Sequence, residues 1–146
     1  MFKNILIPTD GSELSQRAVR MAISLAKLHQ ARITGIHVIP DYHLLIAYEG
    51  AFDPVTEERI EEEAKVRAES YLAFVRKTAQ EEGVPCDTLC ETSDHPYDAI
   101  LKAANSQQCD LIVMTSHGRK GIVAVLLGSE TRKVLTHSKI PVLIVR

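Results

Sequence analysis

An open, doubly wound α/β fold, a five-stranded parallel sheet with helices on both faces, is the class this sequence predicts. Three observations carry it. Five short aliphatic runs alternate with segments of helical period. The first 40 residues already read as strand, helix, strand, a unit that is nearly always right-handed and makes a sheet parallel. And 146 residues are enough for one domain with one real core, spanning 1–146 without a linker, repeat or low-complexity tract.

Residues 4–10, NILIPTD, form a compact apolar run that ends in Pro8, Thr9 and Asp10 and meets Gly11-Ser12 at once, a buried strand feeding a turn. Ser12 is placed to cap a helix, and Leu14, Ala18, Met21, Ala22, Leu25 and Ala26 recur at helical steps, marking one buried stripe that ends near His29. Residues 31–39 return to β-branched and aliphatic types and predict the second strand, closed by Pro40-Asp41. Residues 41–55 have no period and contain Pro54, so a loop is expected there. A long helix follows from Thr56 to Glu82, with an acidic start, Glu61–Lys65 and Glu63–Arg67 pairs, and a stop at Gly83 and Pro85. Its buried face should be Ile60, Ala64, Ala68, Tyr71, Leu72, Val75 and Ala79. Residues 86–92 make a weaker third strand, Pro96-Tyr97 open another helix, and Leu111–Met114 make the fourth strand. After a glycine-bearing loop, Ser129 begins a helix through His137, and residues 140–145 end the chain as the fifth strand.

Composition excludes some functions. Basic and acidic residues nearly cancel, 17 against 19, and Trp is absent, so nothing draws the chain to nucleic acid or an anionic membrane. The N-terminal MFKNILIP reads as a strand rather than a signal, and no apolar run approaches the roughly 20 residues of a spanning helix; the expected location is the cytoplasm. Cys86 and Cys90 on one extended segment would lie roughly 13 Å apart, too far for a disulfide. These two and Cys109 are expected to be small buried hydrophobes.

Chemistry concentrates after the fourth strand. Thr115-Ser116-His117-Gly118 leaves that strand, nine residues follow, and Gly128-Ser129 opens the last helix. Glycines let backbone approach an anion, and a helix N-terminus offers N–H groups with partial positive charge, so this spacing suits a phosphate. Ser129 would cap the helix or donate its hydroxyl to that phosphate. A glycine loop with a serine cap and no ligand fits the same residues. There is no G-x-x-x-x-G-K-[ST], which excludes a P-loop, and the absence of G-x-G-x-x-G after the first strand, of G-x-S-x-G and of H-E-x-x-H argues against a dinucleotide, a nucleophile elbow and a zincin.

Over its whole length the chain resembles the universal stress protein A family. ILIPTDGSELSQRAV is similar to the family's first strand and helix opening, as are the H-V-I end of strand two and the terminal HSKIPVLIVR. The nucleotide motif of the family's ATP-binding branch, G-x-x-G, nine residues, then G-[ST], is met by Gly118, Gly128 and Ser129. Thr115 replaces its first glycine, and Glu130 stands where the family usually has a small or apolar residue. Both are expected to limit affinity.

The resemblance implies an adenine nucleotide alpha hydrolase-like fold, and ATP or AMP, with Mg where present, at the carboxyl edge of the sheet. It implies that Asp10 lies near the ribose or a phosphate-bound Mg, that Pro8 and Thr9 line the base, and that Val38 meets adenine through its backbone. Met114, Thr115, His117 and Gly118 would flank ribose and phosphates. Gly128, Ser129, Glu130 and Thr131 would stand on the far side, and Arg119 and Lys120 would add charge. It implies a stress-response or signalling module, at most a slow ATPase, that forms a homodimer through strand 141–145. A dimeric interaction protein of the same fold without nucleotide is the alternative.

Overall fold

The computed structural model describes residues 1–41, 53–118 and 127–146. Within them the chain runs β1 (Asn4–Pro8), α1 (Glu13–His29), β2 (Arg32–Ile39), α2 (Pro54–Glu81), β3 (Cys86–Thr92), α3 (Pro96–Ser106), β4 (Leu111–Thr115), α4 (Ser129–His137) and β5 (Val142–Val145). All strand pairings are parallel, in the order β3-β2-β1-β4-β5. The expected five-stranded doubly wound sheet is therefore the observed one. The strand order reverses between β1 and β4, which is where such folds open a crevice beyond the carboxyl ends.

Alternation in the central strands explains their unbroken apolar runs. Ile5 and Ile7 of β1 join Leu111 and Val113 of β4 in one core, with Val19 and Ile23 of α1 and Val75 of α2. Leu6, Ile112 and Met114 point the other way, into a second core with Ile100 of α3 and Val134 of α4. At the amino edge the Asp110 carboxylate accepts from the amides of Lys3 (2.8 Å) and Asn4 (3.1 Å). Asn4, buried, donates from Nδ2 to Gln107 O (2.8 Å) and accepts from Thr34 Oγ1 (3.0 Å).

Several local expectations are corrected. In α1 the buried residues are Ser15, Ala18, Val19, Ala22, Ile23 and Ala26, so the stripe is rotated from the expected one and Met21 is 50% exposed. Small and β-branched side chains let the helix lie close to the sheet, and the long ones were displaced to its flank. Pro54 belongs to α2, not to a loop: Asp53 is the N-cap, its carboxylate accepting from Thr56 N (2.7 Å), and proline follows at the first helical position, where its missing N–H costs nothing. Those hydrogen bonds hold the Asp53 carboxyl below its usual range. The rest of the expected 41–55 loop, 42–52, lies outside the described residues. On α2, Glu63 faces Arg59 (3.9 Å) rather than Arg67; Ala64, Ala68, Leu72, Val75 and Ala79 are buried as expected, whereas Ile60 and Tyr71 are only half-buried. All three cysteines are unpaired, yet only Cys109 is buried; Cys86 is half-buried and Cys90 exposed. Burial pushes the Cys109 thiol up to about 11.

Candidate functional site

At the carboxyl end of β1, Thr9 N donates to Ile36 O (2.8 Å) and carries the strand pairing one residue past Pro8. The Thr9 and Ser15 hydroxyls meet at 2.6 Å, and Gly11 N donates to Thr9 Oγ1 (3.3 Å). Asp10 Oδ1 accepts from Ser12 N (2.9 Å), and Ser12 Oγ caps α1 by accepting from Ser15 N (3.2 Å). Gly11 has φ +74°, and a Cβ there would fall 2.1 Å from the Tyr71 ring. Only glycine fits that turn. His37 of β2 stands on Tyr71 edge to face (5.1 Å between centroids), and its Nδ1 donates to Thr9 O (2.7 Å).

Across the crevice, β4 ends at Thr115, whose Oγ1 donates to His117 O (2.6 Å). Ser116, buried, is tied on three sides: its N donates to Val145 O (2.9 Å), its O accepts from Gly128 N (2.7 Å), and its Oγ lies 2.8 Å from His117 Nδ1. Gly118 brings the two strand ends together, since a Cβ on it would stand 3.5 Å from Asp10 Oδ2. Gly128 is packed as closely, its absent Cβ 3.3 Å from Ser116 O and 3.6 Å from His117 Cα. Thr131 Oγ1 donates to Thr115 O (2.9 Å), fixing the first turn of α4 to the end of β4.

The N-cap of α4 is Gly128, not Ser129, and no side chain caps it; Ser129 is the first helical residue. Among the described residues this helix N-terminus meets no side-chain acceptor, and Gly118 and Gly128 stand beside it. Glu130 does not supply one. Its Oε2 accepts from Tyr97 N at the start of α3 (2.9 Å), and its Oε1 accepts from Lys133 Nζ (3.0 Å).

Of the residues expected at the site, Pro8, Thr9 and Asp10 stand at the carboxyl end of β1, Thr115, His117 and Gly118 at that of β4, and Gly128, Ser129 and Thr131 at the start of α4, with Gly118 beside Asp10 and Gly128 beside Ser116. The side chains of Val38 and Met114 pack in the core beneath α3 and α4, so backbone is what they present at the sheet edge. Arg119 and Lys120 lie outside the described residues. Sequence reasoning passed over Ser116 and His37. Ser116 sits inside the quoted T-S-H-G stretch and His37 inside H-V-I, so position in the motif was the available signal. Among the described residues no group of three or more His, Cys, Asp or Glu is arranged to hold a metal ion, and no helix is long and apolar enough to cross a membrane. A cleft of about 540 Å³ between α3 and residues 137–140, lined by Leu101, Asn105, Cys109 and Lys139, opens at the opposite edge of the sheet.

A five-stranded parallel sheet in the order β3-β2-β1-β4-β5, with helices on both faces, defines the class of open doubly wound α/β domains. Within it, the chain belongs to the universal stress protein family, whose model matches residues 1–146. It is 36% identical over 149 residues to the universal stress protein in the QAH/OAS sulfhydrylase 3′ region of Thermus aquaticus, with both chains covered completely. The solved structure of MJ0577, a universal stress protein of Methanocaldococcus jannaschii, superposes with a TM-score of 0.79 at 30% identity, covering 99% of this chain and 96% of that one. A universal stress protein solved in complex with cAMP superposes with a TM-score of 0.62 at 26% identity, covering 99% of this chain and 97% of that one. These neighbours share the adenine nucleotide alpha hydrolase-like fold.

Proposed function

We propose that this protein is an adenine-nucleotide-binding stress-response or signalling module of the cytoplasm, not an efficient enzyme and at most a slow ATPase. The observation that carries the reading is the start of α4. Among the described residues its N-terminus has no side-chain cap; it is tied to the end of β4 through Thr131 and opens at Gly128, where a side chain would crowd Ser116 O and His117. A relative of the same fold holds cAMP, which is consistent with a nucleotide here. The residues fit ATP or AMP: phosphates on the N–H groups of Ser129 and its neighbours, ribose or a nucleotide-borne Mg near Asp10, adenine toward Pro8, Thr9 and the backbone of Val38. When bound, Mg would neutralise phosphate charge. Among the described residues Asp10 is a carboxylate placed to share it, and its Oδ1 accepts from the Ser12 amide.

Calorimetry with ATP and AMP, with and without magnesium, tests this. The parent should bind at up to millimolar nucleotide, and Gly128→Val should not bind, because its branched side chain would press on Ser116 O and His117. A parent that binds neither nucleotide would leave the interaction-protein reading, which the Thr115 Oγ1 to His117 O bond favours by closing the strand end on itself.

The protein acts as a homodimer through β5 in this reading. Val142–Val145 is wholly aliphatic and forms a sheet edge, an arrangement that invites another strand. Leu143→Lys, at a residue 38% exposed, should convert a dimer to a monomer at micromolar concentration in sedimentation velocity. A monomeric parent would refute the dimer.

A further inference from the structure

Glu130 lies in the first turn of the helix that would receive phosphate, where a carboxylate should repel an anion. Its hydrogen bonds give it another task. Helix α3 starts poorly: its N-cap is His95, no side chain of its own caps it, and Pro96 has no N–H to offer. Asp98 N and Ala99 N turn back to His95 O (3.1 and 3.2 Å). The Tyr97 amide is the donor left over, and Glu130 Oε2 accepts from it at 2.9 Å. The other carboxylate oxygen is held by Lys133 Nζ (3.0 Å), which also lies 5.4 Å from the centroid of the Tyr97 ring. His137, one turn further along α4, packs its ring on the other end of the same contact, 5.4 Å from the Tyr97 ring centroid. Three residues on one face of α4 thus grip Tyr97.

We propose that Glu130 is a positioning residue: it caps α3 in place of a local side chain and thereby fixes the first turn of α4, the turn that the nucleotide reading above assigns to phosphate. Its negative charge is spent on the amide of Tyr97 and the ammonium of Lys133, so its net effect on nucleotide binding is favourable. Without the clasp, the first turn of α4 keeps only its Gly128 and Thr131 contacts with the end of β4, its ordered fraction falls, and apparent affinity falls with that fraction. Coupling between two sites is reciprocal. Bound nucleotide therefore tightens the Tyr97 amide hydrogen bond.

The sign separates this role from repulsion. Repulsion requires both Glu130→Gln and Glu130→Ala to bind ATP more tightly than the parent. Positioning requires Glu130→Ala to bind about five-fold more weakly, the factor carried by one lost cap of ordinary strength, and Glu130→Gln, whose amide oxygen still accepts, to stay within about two-fold. Hydrogen exchange of the Tyr97 amide, followed by NMR, gives a readout independent of binding. Exchange should quicken in Glu130→Ala, remain slow in Glu130→Gln, and slow further when ATP is added to the parent. Unchanged exchange in Glu130→Ala, or tighter ATP binding by it, overturns the proposal. If the parent binds no nucleotide while Tyr97 exchange still quickens in Glu130→Ala, the nucleotide reading fails and the clasp between α3 and α4 stands.

Discussion

Two helices start at the switch point of this sheet, α1 after β1 and α4 after β4, and they are finished in opposite ways. The entrance to α1 is closed by its own side chains. Ser12 caps the helix, Asp10 accepts from the Ser12 amide, and the Thr9 and Ser15 hydroxyls join beneath them. Among the described residues the entrance to α4 has no side-chain cap; it lies behind Gly128, whose own N–H turns back to Ser116 O. Even the carboxylate nearest to hand, Glu130, is committed to the neighbouring α3. The same strand, turn and helix is used once as a brace and once as a receptor. A helix N-terminus is thus a candidate anion site only where the chain has declined to satisfy it.

Substitutions on the two sides test that division. The largest effect is expected from Gly11→Ala on the braced side. A positive φ of +74° and a Cβ 2.1 Å from the Tyr71 ring should together lower stability by about 2–4 kcal/mol in chemical denaturation. A loss under about 0.5 kcal/mol would mean that this turn is not rigid and would dissolve the contrast. Ser12→Ala removes one cap and should cost about 1 kcal/mol of stability, with ATP affinity unchanged in calorimetry. A parallel loss of affinity would show the two entrances to be one unit. The smallest effect belongs to Gly118→Ala: the added Cβ would sit 3.5 Å from Asp10 Oδ2, ordinary contact, and should change ATP affinity by about two-fold or less. A complete loss of binding there would shift the phosphate position from the start of α4 toward Asp10.

The fold was legible because its signals are local and repeated. Apolar runs of β1, β4 and β5 alternate with helical periods, and the boundaries Ser12, Gly83 and Pro96 are written in residues with strong backbone preferences. What could not be read depends on rotation or on distant partners. A three- and four-residue spacing in α1 fits two neighbouring stripes, and only packing against the sheet selects Val19 and Ile23 over Met21. Pro54 carries the same letter in a loop as at a helix start, and its meaning came from Asp53 beside it. In the crevice, the glycine spacing located Gly118 and Gly128, whereas the destination of the Glu130 carboxylate is a residue 33 positions away on another helix. No local pattern encodes that.

The hydrogen bond from Gly128 N to Ser116 O (2.7 Å) has a use for protein engineering. Together with the Thr131 to Thr115 contact (2.9 Å), it ties residues 128–131 to the end of β4. A reporter attached at Thr131 or Ser116 would therefore sense both strand end and helix start at once, since one hydrogen bond joins Ser116 to Gly128 and another joins Thr115 to Thr131.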